Sequence, residues 1–418
     1  MKKIKGNEKT LKNNMKYDLV NLLDEILAEG KYSNIQLNHY FSTKNYTRKE
    51  RMFVTNVINI VLKNLIYIDY LLEKTTRNIQ KRKIKQLLRI SVAQLFFMES
   101  DNAGVLFEAG EIAKKINSHQ VGFVNAVLQN VLKNKEEIDA QILEDKKDGI
   151  LNSYPQWFVN KLKIDYPENY LGIMKSYKTR SYLSVRYSPK KLTKEKFEEI
   201  LEKIGTEILF SIDEVYYLSN ANIFETEEYL KGDIVIQDAS SYLAVKNLEI
   251  MENETVLDAC SAPGGKSLAI LQTFNPKLLV ATDIHEHKIK ILNKLKRKYE
   301  FDNFEIVLND ATQIENLNKQ FDKILLDVPC SGLGVLRKKP EKIYNLTVND
   351  IRKLKKIQKK IFDSAYKALK SNGTIVYSTC TFSKNENTNN LEYFLEKYND
   401  LEVEEVKIPN NVKTIKDE

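Results

Sequence analysis

Through its first 154 residues the chain sets apolar side chains three and four positions apart, and it does so in four separate stretches. Leu19, Leu22, Leu23, Ile26 and Leu27 form one stripe; Phe53, Val57, Ile60, Val61 and Leu65 form a second. Ile84, Leu87, Leu88, Val92, Leu95 and Phe96 form a third, and Val121, Val124, Val127, Leu128 and Val131 a fourth. That period places each set on one face of an α-helix, and no proline before Pro155 interrupts it. The pattern predicts a helical bundle whose stripes are core rather than ligand contacts. From "SYPQWFVNKL" to about residue 235 the period changes. Helical stretches at 156–178 and 193–204 alternate with extended runs at 182–187, 207–210 and 215–218, which predicts a small α+β module. Beyond it, extended runs at 255–259, 277–283, 304–310, 323–329 and 373–380 recur between helical stretches, as in a parallel α/β sheet covered on both faces. The expected domains are therefore 1–145, 146–235 and 236–418.

Composition narrows the class. A hydrophobic fraction of 42% and an aromatic fraction of 10% describe a globular chain. Its start, "MKKIKGNEKTLKNN", is basic but has no apolar run, and the most apolar stretch, Val54 to Ile68, is broken by Asn56, Asn59, Lys63 and Asn64. The expectation is a cytoplasmic monomer that does not engage a membrane. Three cysteines without a short spacing argue against both a disulfide framework and a zinc site. "HEH" at 285–287 lacks a third ligand and reads as a solvated helix start, so no metal is expected. The net charge of +8 lies in the front third: residues 1–140 hold 23 Lys and Arg against 15 Asp and Glu, and the remainder balances. A basic front region fits an RNA or DNA partner, and "KRKIK" at 81–85 with Arg89 is the expected phosphate contact, with a solvated helix face as the competing reading.

Candidate chemistry sits in the last third. Ligands of parallel sheets bind at the C-terminal strand ends, where Asp258, Asp283, Asp310 and Asp327 fall. "CSAPGGKS" follows the first strand, and its glycines allow close backbone approach. Asp283 follows Gly265 by 18 residues, near the spacing at which an acid grips a ribose. Neither G-x-G-x-x-G nor a P-loop is present, so an adenosyl ligand without phosphate, such as S-adenosylmethionine, suits these acidic ends. All three cysteines also lie at strand ends: Cys260 in "LDACSAPGGKS", Cys330 in "LLDVPCSGLG" and Cys380 in "YSTCTF". Cys260 reads equally well as a buried core thiol. Cys330 and Cys380 suit covalent catalysis, because a thiolate added to C6 of a pyrimidine makes C5 nucleophilic toward a methyl donor. Lys266 is a candidate cation beside such a thiolate. Spacing alone does not rank the two thiols.

"DACSAPGGKS", "LLDVPCSGLGVLRKKPE" and "YSTCTFSKNEN" resemble the three motifs of the RNA (cytosine-5) methyltransferases of the bacterial Sun/RsmB branch, which modify 16S ribosomal RNA. "LLRISVAQLFFMES" and "VGFVNAVLQNVL" are similar to the NusB-type RNA-binding bundle of that branch, and "SYPQWFV", "LSVRYSP" and "GDIVIQDASS" to its middle segment. The resemblance runs from about residue 17 to 395. It implies a multidomain protein: an all-α NusB-like bundle, a small α+β module and a Rossmann-like S-adenosylmethionine-dependent methyltransferase domain. It further implies that Cys260, Ser261, Ala262, Pro263, Gly264, Gly265 and Lys266 form the cofactor turn, with Asp283 on the ribose and Asp310 near the adenine. Asp327 would line the junction of cofactor and base, Cys380 would attack C6, and Cys330 would assist product release. The chain departs from that branch in two places. "LSVRYSP" lacks an asparagine near Ser188, and where the branch carries a final strand pair with a "DGFF"-like run this chain reads "DLEVEEVKIPNN". "LEVEEVKI" is a candidate sixth strand, with no seventh in view. Competing readings are a sister enzyme acting on another RNA such as tRNA, a non-catalytic NusB-like RNA-binding factor, and an amino-group methyltransferase. The last would need an Asn/Asp-Pro-Pro-aromatic stretch in place of "DVPC".

Overall fold

The computed structural model describes residues 7–412, so the basic run at residues 1–6 lies outside the described residues. The chain forms two compact units. One takes the chain up to Thr179 together with Gly332–Val348; the other takes Arg180–Ser331 and everything from Asn349 onward. The expected middle segment, 146–235, is thus divided between them: its helices up to Lys178 lie in the first unit, and its strands, with the helices Lys194–Lys203 and Glu227–Lys231, lie in the second.

All four apolar stripes lie in helices of the first unit: Asn7–Glu29, Arg48–Lys63 with Leu65–Thr75, Arg82–Phe97 and Val121–Glu144. Leu19, Leu23, Val57, Val61, Leu88, Val92, Val124 and Leu128 are among the fully or almost fully buried residues of one core. No single described helix is long and apolar enough to cross a membrane; Arg48–Lys63 and Leu65–Thr75 reach that length only together, and they are bent by 71°. Gly332–Val348 is fastened within this unit by a buried carboxylate, that of Glu341, which accepts from Ser33 N and Oγ at 3.0 and 3.1 Å. Tyr344 OH adds a hydrogen bond to Leu62 O. The stretch after "VPCSG" was expected inside the catalytic domain; its apolar residues Leu336 and Ile343 are instead buried within the helical unit.

The second unit opens with an antiparallel four-stranded sheet in the order β2-β3-β1-β4, from β1 (Leu183–Tyr187), β2 (Ile208–Ile212), β3 (Val215–Leu218) and β4 (Ile234–Ile236). Arg186 of β1 is fully buried, donates to Gln237 Oε1 and Gln272 Oε1 at 2.6 Å each, and lies over the Tyr242 ring. Burial pushes its guanidinium down to about 10. "LSVRYSP" therefore ties this sheet to the following helices, and its Ser188 is buried as well.

The five expected parallel strands are β5 (Thr255–Asp258), β6 (Leu278–Asp283), β7 (Phe304–Leu308), β8 (Phe321–Asp327) and β9 (Leu369–Ser378), in the order β7-β6-β5-β8-β9. Alternate residues serve opposite faces. Val256, Leu279 and Leu325 enter one core, while Leu257, Val280 and Leu326 enter the other. The order reverses between β5 and β8, which makes that crevice the topological switch point. "LEVEEVKI" is not a strand. Its alternation finds no ladder to join among the described residues: Val403, Val406 and Ile408 stay exposed, and Lys407 is held through the Asn247 side-chain amide and Glu249.

The helix expected to contact phosphates commits part of its charge to ion pairs within the unit. Arg89 is buried in a bidentate pair with Asp69, at 2.7 and 2.5 Å, and Arg82 pairs with Asp24 at 2.7 Å. Arg89 is thus a core residue rather than a phosphate contact; Lys81 and Lys83 remain exposed. Removing one partner of a buried pair strands the other charge, so Asp69→Ala is expected to cost about 3 kcal/mol in urea unfolding. Arg89→Met is expected to cost less and to leave the salt dependence of RNA binding unchanged.

Candidate active site

β5 delivers the first part of the site. Its last residue, Asp258, is fully buried and accepts from Ser267 Oγ at 2.6 Å, while its Oδ1 has no hydrogen-bond partner. Burial, reinforced by Asp327 and Asp283 against the Ser267 hydrogen bond, pushes this carboxyl up to about 7. The turn that follows is fastened to β6, since Ser261 N and Oγ both donate to Thr282 O at 2.9 and 3.0 Å. It passes Ala262 and Pro263 to Gly264, whose φ of +104° and 2.9 Å separation of an added Cβ from Leu292 leave room only for glycine. An added Cβ at Gly265 would meet open space. The helix Gly265–Thr273 then begins, carrying Lys266. The Cys260 side chain packs against the core, and burial, then Asp258, pushes its thiol up to about 12. Its thiol behaves as a core group, and only its backbone belongs to the turn.

Acidic residues stand at the neighbouring strand ends. Asp283, at the end of β6, accepts from His285 N at 3.0 Å and Lys288 Nζ at 3.3 Å. Asp310, just beyond β7, accepts from Thr312 N and Oγ1, both at 2.9 Å, and so starts a short helical turn. Asp327 ends β8 and pairs through Oδ2 with Lys266 Nζ at 2.6 Å. Lys266 is thereby committed to a carboxylate.

β8 and β9 are parallel neighbours with Asp327 opposite Ser378, so the loops carrying Cys330 and Cys380 leave the same end of the sheet. The two sulfurs are 3.1 Å apart, and Cys380 N donates to Cys330 Sγ at 3.3 Å. Cys330 is half-buried and Cys380 exposed. The hydrogen bond with Cys380, followed by burial, raises the Cys330 thiol above its ordinary range. Cys380 is the sulfur more open to a ligand.

Beneath the thiols lies a polar network that the motif reading missed. Glu386 is fully buried; its Oε1 accepts from Ser331 N at 2.9 Å and Gln358 Nε2 at 3.0 Å, and its Oε2 from Ser331 Oγ at 2.5 Å. Gln358 also donates to Pro329 O at 3.0 Å, and Asn390 Nδ2 donates to Gln358 Oε1 at 2.9 Å. Glu386 was visible in "YSTCTFSKNEN", but nothing in the linear spacing says that it reaches the loop after β8.

Asp258 makes stability depend on pH. A carboxyl whose folded pKa lies above its unfolded value binds more protons in the folded state between the two, so its stabilising effect is lost as pH rises from about 4 to about 7. The melting temperature is expected to fall more between about pH 5 and about pH 7.5 for the wild type than for Asp258→Asn, as checked by calorimetry.

Known proteins match both units. A family model described as 16S rRNA methyltransferase RsmB/F matches residues 245–418, and the NusB family model matches residues 14–133. The chain is 31% identical over 399 residues to the probable ribosomal RNA small subunit methyltransferase B of Bacillus subtilis, covering 91% of this chain and 89% of that one. It is 28% identical to the ribosomal RNA small subunit methyltransferase B of Escherichia coli, with 86% and 85% covered. Among solved structures, that of PH0851 superposes with a TM-score of 0.76 at 20% identity, covering 92% of this chain and 90% of that one, a likeness of fold. A methyltransferase homologue from Pyrococcus horikoshii gives a TM-score of 0.54 at 25% identity, with 60% and 82% covered. With a NusB-like helical domain in front of a methyltransferase domain, and a relative this similar along nearly its whole length, the chain belongs to the RsmB/F family of 16S rRNA methyltransferases.

Proposed function

We propose that this protein transfers a methyl group from S-adenosylmethionine to C5 of a cytosine in 16S ribosomal RNA through a covalent bond between Cys380 and C6. The observation that carries the reading is the pair of facing thiols, one exposed and one half-buried, at the same end of the sheet as Asp327, which is paired with Lys266.

The donor set fits the cofactor. Asp258, Asp283 and Asp327 end the neighbouring strands β5, β6 and β8, so three carboxyl groups stand at one rim, an environment that favours a sulfonium and offers acceptors to ribose hydroxyls. The residues that would hold the cofactor are the turn from Cys260 to Lys266, with Asp283, Asp310 and Asp327. When bound, it supplies an electrophilic methyl group.

The chain's own residues do the rest. Cys380 adds to C6, and the electrons of the C5–C6 double bond make C5 the nucleophile. Asp327, held by Lys266, faces the polar edge of the cytosine. Once C5 is methylated its proton leaves to a base, the C5–C6 double bond reforms, and the C6–S bond breaks. Cys330 donates its S–H to the departing Cys380 sulfur and so promotes release. The target base must leave any stack to reach both thiols, which favours a loop or single strand of RNA. The basic front unit supplies the electrostatic attraction to that RNA.

The test is a denaturing gel for a protein–RNA adduct after incubation with S-adenosylmethionine and unmodified 16S RNA. Cys330→Ala is expected to accumulate adduct, and Cys380→Ala to give neither adduct nor product. tRNA in place of 16S RNA is expected to give no product; methylation of tRNA instead would move the substrate assignment. Asp327→Asn is expected to slow transfer on the order of 10²-fold, read by radiolabelled methyl incorporation.

A further inference from the structure

The residues that follow the two cysteines are joined to each other. Ser331 Oγ lies 2.8 Å from Thr381 Oγ1 and 2.5 Å from Glu386 Oε2. Ser331 has one hydroxyl proton, and the carboxylate takes it, so Thr381 is the donor to Ser331. A single chain of hydrogen bonds therefore runs from the loop of Cys380, through Thr381 and Ser331, to Glu386, which also holds Ser331 N. Gln358 closes it by bonding both Glu386 and Pro329 O, the carbonyl just before Cys330.

Glu386 is costly where it is. It is fully buried, and among the described residues no lysine or arginine pairs with it; its partners are two serine groups and an amide. A buried carboxylate without a countercharge is unfavourable for stability unless its hydrogen bonds are well made. An amide or apolar residue could fill the same space, but neither could accept two hydrogen bonds from Ser331 and one from Gln358 at once.

The geometry points to Glu386 as the positioning residue of the thiol pair, clamping the Cys330 loop to the Cys380 loop so that the sulfurs stay face to face. Its influence on the Cys330 thiol is in the raising direction, after those of Cys380 and burial. This inference rests on Cys380 as the attacking and Cys330 as the releasing thiol, and it adds a group that touches neither substrate nor cofactor.

The experiment compares full-length wild type, Cys330→Ala, Glu386→Gln and Thr381→Val by methyl transfer to 16S RNA, by adduct persistence, by melting temperature, and by the pH profile of iodoacetamide labelling at Cys330 read by mass spectrometry. Glu386→Gln is expected to slow transfer on the order of 10²-fold with KM for RNA unchanged, to prolong the adduct, and to move Cys330 labelling to lower pH. Thr381→Val removes the link but not the charge; it is expected to slow transfer while leaving the Cys330 labelling profile in place. The inference is overturned if Glu386→Gln, folded by its melting curve, transfers at the wild-type rate or leaves Cys330 labelling unmoved. Should Glu386→Gln not fold, wild-type transfer by Thr381→Val overturns it. Failure of Cys330→Ala to accumulate adduct would count against the thiol roles alone, because the labelling profile reads Glu386 without catalysis.

Discussion

Two parallel strands that end side by side must send their following loops over the same rim. β8 and β9 do this with Asp327 opposite Ser378, and Val328 N extends the ladder to Ser378 O at 3.1 Å before the loops separate. Cys330 and Cys380 are fifty positions apart in sequence, yet this pairing brings their sulfurs to 3.1 Å. Everything chemical at the thiols follows from that register. A shift of one residue would turn the side chains of either strand to the opposite face, parting Leu325 from one core and Leu326 from the other. The cores on the two faces therefore fix the thiol geometry as firmly as the loops do.

Charge is arranged differently in the two units. In the second, three carboxylates crowd one turn, and the conflict is relieved by keeping Asp258 buried with its pKa raised, by pairing Asp327 with Lys266, and by giving Asp283 a backbone N–H and Lys288. Such crowding favours a cationic ligand over a phosphate. In the helical unit the sequence carries excess positive charge, but part of it is already paired: Arg89 is buried against Asp69, and Arg82, though exposed, is held by Asp24. Lysine and arginine counts therefore overstate the surface available to RNA, and Lys81 and Lys83 represent that helix better than Arg89 does.

Periodicity made most of the fold legible. Stripes such as Ile84, Leu87, Leu88 and Val92 are buried as their spacing requires, and all five parallel strands lie within a few residues of their expected ranges. Alternation alone did not suffice for "LEVEEVKI", because a strand also needs a neighbour to pair with. Pattern could not reveal that Gly332–Val348 belongs to the helical unit, since the contact between Glu341 and Ser33 joins residues 308 positions apart. The motifs located Cys330, Cys380, Lys266 and Asp327, but not the partner of each. Lys266 reads as a cation for a thiolate in sequence and is a partner of Asp327 in space. Glu386 and Gln358 escaped because neither looks chemical in isolation; their meaning lies in the two loops they join.

The proposed covalent bond between Cys380 and the base can be trapped directly. A 16S RNA carrying 5-fluorocytidine cannot lose a C5 proton after methyl transfer, so the wild-type enzyme should be trapped on it. Nuclease and protease digestion followed by peptide sequencing by mass spectrometry would locate the modified residue. Attack by Cys380 would leave the methylated fluorocytidine on the peptide containing Cys380. Its recovery on the peptide containing Cys330 would contradict the assignment of attacking and releasing thiols.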